Sequence, residues 1–325
     1  MNAHPMLFAL GASASFGQDV AAALGVPLSP HEEREFEDGE HKSRALVSAR
    51  GRAAYVIHSL HGEPGHSAND RLCRLLFFIG ALRDAGAESV TAVAPYLAYA
   101  RKDQRTRPFD PVTTRYVAAM FEAVGTDAVL TMDVHNIAAY ENAFRCRAEH
   151  IEAAPLFAAQ LAPVLGGPTV VVAPDAGAVK RAEKFRQLLV AAGIDAGSAL
   201  AEKYRSGGVL TGNLLVGEVE GRTAVIFDDL VSSGETLVRT ARTCREKGAA
   251  RVLAVATHAA FSPAASGVLA DPALERLYVT DTVGPGRLGA GVATSKVTVL
   301  GCGRRFAAAI RSMHEGGPAQ PDQPL

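Results

Sequence analysis

The chain has 325 residues, 48% of them hydrophobic and 21% charged, which is ordinary globular material long enough for two domains of typical size. A formal net charge of -1 excludes a protein whose main task is to coat nucleic acid or an anionic membrane, so a small-molecule partner is expected. Cys73, Cys146, Cys244 and Cys302 form no C-x-x-C pair, and neither a zinc site nor a disulfide framework is encoded.

Met6 to Ala14 imitates a signal peptide, but no Lys or Arg precedes it and its apolar core is short. No apolar run approaches the roughly 20 residues needed to cross a bilayer, so a cytoplasmic protein is expected. Phe36-Glu-Asp-Gly-Glu40 reads by itself as an acidic turn before a strand. The run Tyr55-Val-Ile57 leads to His58, His61 and His66, where no cysteine stands at ligand spacing and zinc is not expected. After Val90-Thr-Ala-Val93, the segment Pro95 to Arg107 carries Arg101, Lys102, Arg105 and Arg107. Four cations after a strand end suit a triphosphate, with an RNA-binding patch or a solvated loop as alternatives. Ala128-Val-Leu-Thr131 closes at Asp133 and His135, whose spacing predicts side chains on the same side.

Thr169-Val-Val-Val172 runs into Ala173-Pro-Asp-Ala-Gly-Ala-Val-Lys-Arg-Ala182, a helix-initiating turn with Asp175 and small residues that permit a close backbone approach. Lys203-Tyr-Arg205 precedes the Gly-rich Ser206 to Gly212; taken alone, the pair reads as solvated surface cations. Thr223-Ala-Val-Ile-Phe227 ends at Asp228-Asp229, and Ser232-Ser-Gly-Glu-Thr236 then opens the helical Leu237 to Arg245. Val252-Leu-Ala-Val255 and Arg276-Leu-Tyr-Val279 are later runs, and the Pro-rich tail 316–325 is expected to be disordered.

Short β-type runs alternating with helical segments predict an α/β fold with parallel sheets flanked by helices. The two halves echo each other. Leu7 to Ser13 parallels Val170 to Ala176, Ala54 to Ser59 parallels Ala224 to Asp229, Val90 to Pro95 parallels Val252 to Thr257, and both Gly86-Ala87 and Gly248-Ala249 precede a strand. Two tandem domains are therefore expected over 1–150 and 151–315. His58-Ser59 replaces Asp228-Asp229 in the first copy, so one acidic site per chain is expected.

That site carries the function. Asp228 and Asp229 are expected at the C-terminal edge of a strand, where open α/β sheets bind ligands, and the Ser/Gly turn before a helix is a phosphate cradle. Two carboxylates would repel a bare phosphate, so they face ribose hydroxyls or a nearby magnesium ion. A ribose 5-phosphate satisfies the whole loop; capping of the turn by Asp228 accounts for one acid and not both.

Asp228-Asp-Leu-Val-Ser-Ser-Gly-Glu-Thr236 resembles the ribose-phosphate loop shared by type I phosphoribosyltransferases and ribose-phosphate pyrophosphokinases (PRPP synthases). The Phe36, Pro95, Thr131, Ala173 and Lys203 segments are similar to the synthases, so the resemblance runs through almost the entire chain. It implies two phosphoribosyltransferase-like domains and transfer of pyrophosphate from ATP to ribose 5-phosphate. Asp228, Asp229, Ser232, Ser233, Gly234 and Thr236 would hold ribose 5-phosphate. Phe36, Asp38 and Glu40 would reach a neighbouring subunit's adenine, implying a homo-oligomer with a shared ATP site. Arg101, Lys102 and His135 would contact nucleotide, and Asp133, His135 and Asp175 would support Mg2+. Lys203 and Arg205 on a mobile loop, with His135, would be catalytic. Glu235 stands where synthases usually carry Gly, and Lys102 where Gln is commoner. A PRPP-consuming transferase would not need the Phe36, Arg101 and His135 segments. A non-catalytic regulatory homologue need not keep Lys203, Arg205, His135 and Asp175.

Overall fold

A computed structural model describes residues 4–206, 209–284, 286 and 288–320, and the side chains of 202–213 lie outside that description. The chain divides into two compact units, one running to Glu152 and joined by the stretch from Cys302, the other spanning Ala153–Gly301. The first holds β1 (Met6–Ala9), β2 (His31–Glu35), β3 (His41–Ala45), β4 (Ala53–Ile57), β5 (Ser89–Ala94), β6 (Ala128–Met132) and β7 (Arg147–Ile151). Its five-stranded sheet has the order β1-β4-β5-β6-β7, every pair parallel, while β2 and β3 form a separate antiparallel hairpin. β4, β5 and β6 are buried almost throughout, which is why they read as continuous apolar runs.

The second unit holds β8 (Thr169–Ala173), β9 (Ala196–Ser206), β10 (Val209–Val216), β11 (Thr223–Leu230), β12 (Arg251–His258), β13 (Arg276–Thr280) and β14 (Val297–Leu300). Its order is β10-β9-β8-β11-β12-β13-β14, parallel except for β9 with β10.

The repeat extends to individual hydrogen bonds. Arg83 Nη1 donates to the carbonyls of Ala87 (3.3 Å) and Glu88 (3.1 Å), and Arg245 Nη1 donates to those of Ala249 (3.4 Å) and Ala250 (2.6 Å). Each guanidinium closes the turn from a helix into the next strand. Pairing sets Met6 against Ala54 and Val170 against Ala224, so Met6, not Leu7, matches Val170. The following turn is one residue longer in the second unit, and the short helices Gly11–Ser13 and Ala176–Ala178 then correspond.

Two boundaries differ from expectation. The helix Gly303–His314 belongs to the first unit and not to a second domain ending at 315. Phe306 meets Phe16 edge-to-face at 5.3 Å, and a Cβ on Gly303 would stand 3.0 Å from that of Asp19. The expected disorder of the tail also fails for its described part. Gly317 O accepts from Arg147 Nη2 (2.6 Å), the buried Ala319 donates its N–H to Glu149 Oε2 (3.1 Å), and residues 321–325 lie outside the described ones. Polar side chains of β7 capture this backbone, which composition does not show. Among the described residues no helix is long and apolar enough to cross a membrane.

Candidate active site

In the second unit β8 and β11 lie side by side, with the chain continuing outward to β9 on one flank and to β12 on the other. That is a topological switch point, where the strand ends diverge and leave a crevice. Asp175 follows β8 in extended backbone, and its carboxylate accepts the N–H of Ala178 at 3.2 Å, starting the helix that continues through Val179–Ala191. β11 runs on to Leu230, because Asp228 and Leu230 still pair with Ala256 and His258. The acids therefore belong to the strand and do not follow it.

Asp229 is buried; its N–H donates to Asp228 Oδ1 (2.8 Å), and Arg181 Nη1 stands 3.3 Å from its Oδ2. Burial, then the hydrogen bond and charge of Asp229 and the charge of Asp175, push the Asp228 carboxyl up to about 8. The pair thus holds a proton at neutral pH. A carboxyl raised from 3.8 when unfolded to about 8 when folded favours the fold below the lower value and loses that contribution as pH rises through the upper. Asp228→Asn is therefore expected to raise the melting temperature at pH 8 by several degrees and to leave it nearly unchanged at pH 4, measured by scanning calorimetry.

The turn beyond is tied to its neighbours. Val231 N–H donates to His258 O (3.0 Å), and Ser262 N–H donates to Ser232 O (3.1 Å). Gly234 has φ +85°, and a Cβ there would meet Leu269 Cδ2 at 2.8 Å, so only glycine fits. Ser233 Oγ accepts the N–H of Glu235 (3.3 Å), and the helix Glu235–Glu246 presents first-turn donors beside Ser232 and Thr236. Glu235 itself is exposed, so its carboxylate is not built into the turn. His258 was not among the expected residues. Its imidazole Nδ1 lies 2.8 Å from Thr282 Oγ1 in a buried polar network, and the polar pair Thr257-His258 closing an apolar run was the available signal.

Lys203 and Arg205 were expected on a mobile loop. Their backbone lies on β9 instead, Lys203 opposite Asn213 and Arg205 opposite Leu210, while their side chains and Gly207-Gly208 lie outside the described residues.

In the first unit, Phe36, Asp38 and Glu40 share the β2–β3 turn. Phe36 N–H donates to Glu40 O (2.8 Å), Asp38 Oδ1 accepts the N–H of Glu40 (3.0 Å), and Gly39 takes φ +87°. The Phe36 ring is 40% exposed beneath the Arg34 guanidinium. Arg101 and Lys102 are exposed on the loop after β5, with Lys102 Nζ 3.7 Å from Asp110. Asn136 Nδ2 donates to Asp103 Oδ2 (2.8 Å), linking this loop to the segment bearing His135.

Asp133 and His135 do not alternate on one strand face. β6 ends at Met132, Asp133 turns away with φ +41° and is buried, and His135 is exposed. Asp133 Oδ1 lies 4.0 Å from His150 Nε2, and the fields of Asp133 and Glu152 act on Arg305 from the last helix. His150 and Arg305 are additions that local spacing did not predict, since both arrive from distant sequence.

Among the described residues no three His, Cys, Asp or Glu side chains form a ready metal cage. The crowding of Asp175, Asp228 and Asp229 nevertheless fits a hard cation that keeps most of its ligands as water and phosphate oxygens, as magnesium does.

The family model for the N-terminal domain of ribose phosphate pyrophosphokinase matches residues 5–125, and that for the phosphoribosyl synthetase-associated domain matches 211–319. A ribose-phosphate pyrophosphokinase of Parasynechococcus marenigrum is 37% identical over 85% of this chain and 82% of its own length. The chain belongs to the ribose-phosphate pyrophosphokinase family. Ribose-phosphate pyrophosphokinase 2 of Enterococcus faecalis is 33% identical over 97% of this chain and 94% of its own. The crystal structure of phosphoribosylpyrophosphate synthetase from Mycobacterium smegmatis superposes with a TM-score of 0.87 at 30% identity, covering 97% of this chain and all of that one. The α/β architecture with two phosphoribosyltransferase-like units is thus that of a pyrophosphokinase of this family.

Proposed function

We propose that the chain transfers the pyrophosphoryl group of ATP to the anomeric hydroxyl of ribose 5-phosphate, giving 5-phosphoribosyl 1-pyrophosphate and AMP. The observation that carries this reading is the acid pair of part-buried Asp228 and buried Asp229 at the switch point of the second unit, beside a glycine-requiring turn, in a chain of this family. Asp228 and Asp229 accept from the ribose 2- and 3-hydroxyls, and the Ser232 to Thr236 turn takes the 5-phosphate. The anomeric oxygen attacks the β-phosphorus, the bond from that phosphorus to the α,β-bridging oxygen breaks, and AMP departs with that oxygen while the hydroxyl proton passes to solvent. Lys203 and Arg205 neutralise charge that grows in the transferring group, and no covalent intermediate is needed. Asp175, beside the acid pair of the second unit, is the residue we assign to magnesium, which when bound would neutralise phosphate oxygens, whereas Asp133 and His135 diverge in the first unit. Arg101, Lys102 and His135 hold the nucleotide phosphates, and the exposed turn with Phe36, Asp38 and Glu40 offers adenine contacts to a second copy in a homo-oligomer.

Phosphorus NMR of the protein with magnesium, ATP and ribose 5-phosphate tests the reaction. AMP and a sugar-linked diphosphate resonance should rise together, whereas ADP would mean ordinary kinase chemistry and overturn the proposal. Arg181 is expected to orient Asp229 for the ribose. Arg181→Gln should raise the KM for ribose 5-phosphate about tenfold and leave that for ATP nearly unchanged.

A further inference from the structure

The duplicated turn is used differently in the two units. In the second, the short helix beginning at Ala176 follows β8, beside the acid pair. In the first, the matching short helix begins at Gly11, and the Gly11 N–H donates to Glu33 Oε1 at 2.7 Å, 22 residues away on β2. The strand positions of Asp228 and Asp229 are held there by His58 and Ser59. His58 is buried, and burial followed by the charge of Arg71 pushes its imidazole down to about 3, so it is neutral. Ser13 Oγ fills the space between, accepting the N–H of Ser59 at 2.9 Å. The first copy thus carries no acid pair at these positions, and a carboxylate of its own, that of Glu33, meets its turn.

We propose that the contact between Glu33 and the Gly11 N–H fixes the β2–β3 hairpin and with it the Phe36–Glu40 turn. Burial opposes ionisation of Glu33, but its hydrogen bonds with His31 and the Gly11 N–H outweigh it and hold the carboxyl below its ordinary range. A hydrogen bond to a carboxylate is stronger than one between neutral groups, and Glu33 brings its carboxylate from the hairpin. His31, two residues along the same strand, lies 3.2 Å from Glu33 Oε1 and packs on Phe8 and Phe78, so the acid leaves β2 from a seated position. Arg74 pairs with Glu35 further toward the turn. Together these contacts set the direction in which the turn projects. The consequence for nucleotide rests on the function proposed above; the anchor itself does not.

Hydrogen exchange of the amides in 31–45, in the full chain and in Glu33→Gln and Glu33→Ala, tests the anchor. Glu33→Ala should exchange about tenfold faster there and unchanged elsewhere, with Glu33→Gln between. Unchanged exchange in Glu33→Ala overturns the anchor. In steady-state kinetics the KM for ATP should rise about tenfold with that for ribose 5-phosphate unchanged. Phe36→Ala separates the two readings. If it raises the KM for ATP and Glu33→Ala does not, the anchor has no bearing on nucleotide and that part fails. If neither variant changes it, the assignment of the hairpin to nucleotide fails, and the exchange result still decides the anchor.

Discussion

Replacing Lys203 with alanine is expected to lower kcat by about 10²–10³-fold while changing the KM values for ATP and ribose 5-phosphate by about twofold or less. In phosphoryl transfer, charge shifts onto the equatorial oxygens and the departing group only as the bond to the leaving oxygen stretches. A cation that meets this charge in the transition state, and little in the ground state, contributes to turnover and not to substrate binding. The backbone of Lys203 and that of Arg205 both lie on β9, with one residue between them. Steady-state kinetics with both substrates varied gives the split between kcat and KM. A rise in either KM that matches the loss of turnover would reassign Lys203 to ground-state binding.

Asp229→Ala should raise the KM for ribose 5-phosphate about a hundredfold and leave the KM for ATP near its original value. The side chain is buried, it faces Arg181, and its neighbour already carries a proton, so its removal strips the acceptor that the ribose would use. Preference for ribose 5-phosphate over 2-deoxyribose 5-phosphate should collapse, because a buried acceptor left unpaired is what rejects the deoxy sugar. The original protein should bind ribose 5-phosphate more tightly as pH rises toward about 8, since hydroxyls donate to carboxylates and the shared proton blocks one of them. In the variant that dependence should move to lower pH, because the charge and hydrogen bond of Asp229 no longer raise Asp228, although burial still does. Equal weakening toward both substrates would sink the assignment.

Much of this was legible in the chain. The runs at Tyr55, Val90, Ala128, Thr169, Thr223, Val252 and Arg276 are strands because central parallel strands are buried on both faces and must be apolar throughout. β2, β7 and the hairpin β9–β10 were not foreseen, since their exposed or edge positions leave them polar or mixed, like HEERE and RAEHI, whereas the turn at Phe36–Glu40 before β3 was. Asp133 was foreseen as a strand-end acid but not in its left-handed backbone, because φ is imposed by what the chain must join next.

The sequence by itself determined the tandem α/β plan, the acid pair confined to the second half and the family, because apolar period, turn chemistry and short motifs are local properties that survive without coordinates. Only the tertiary structure decided that the last helix returns to the first unit, that Arg181 faces Asp229, that the His258 carbonyl holds the turn after β11, and that Glu33 meets the turn at Gly11. Each joins residues far apart along the chain or on different elements, and local pattern carries no information about which distant side chain meets a given donor.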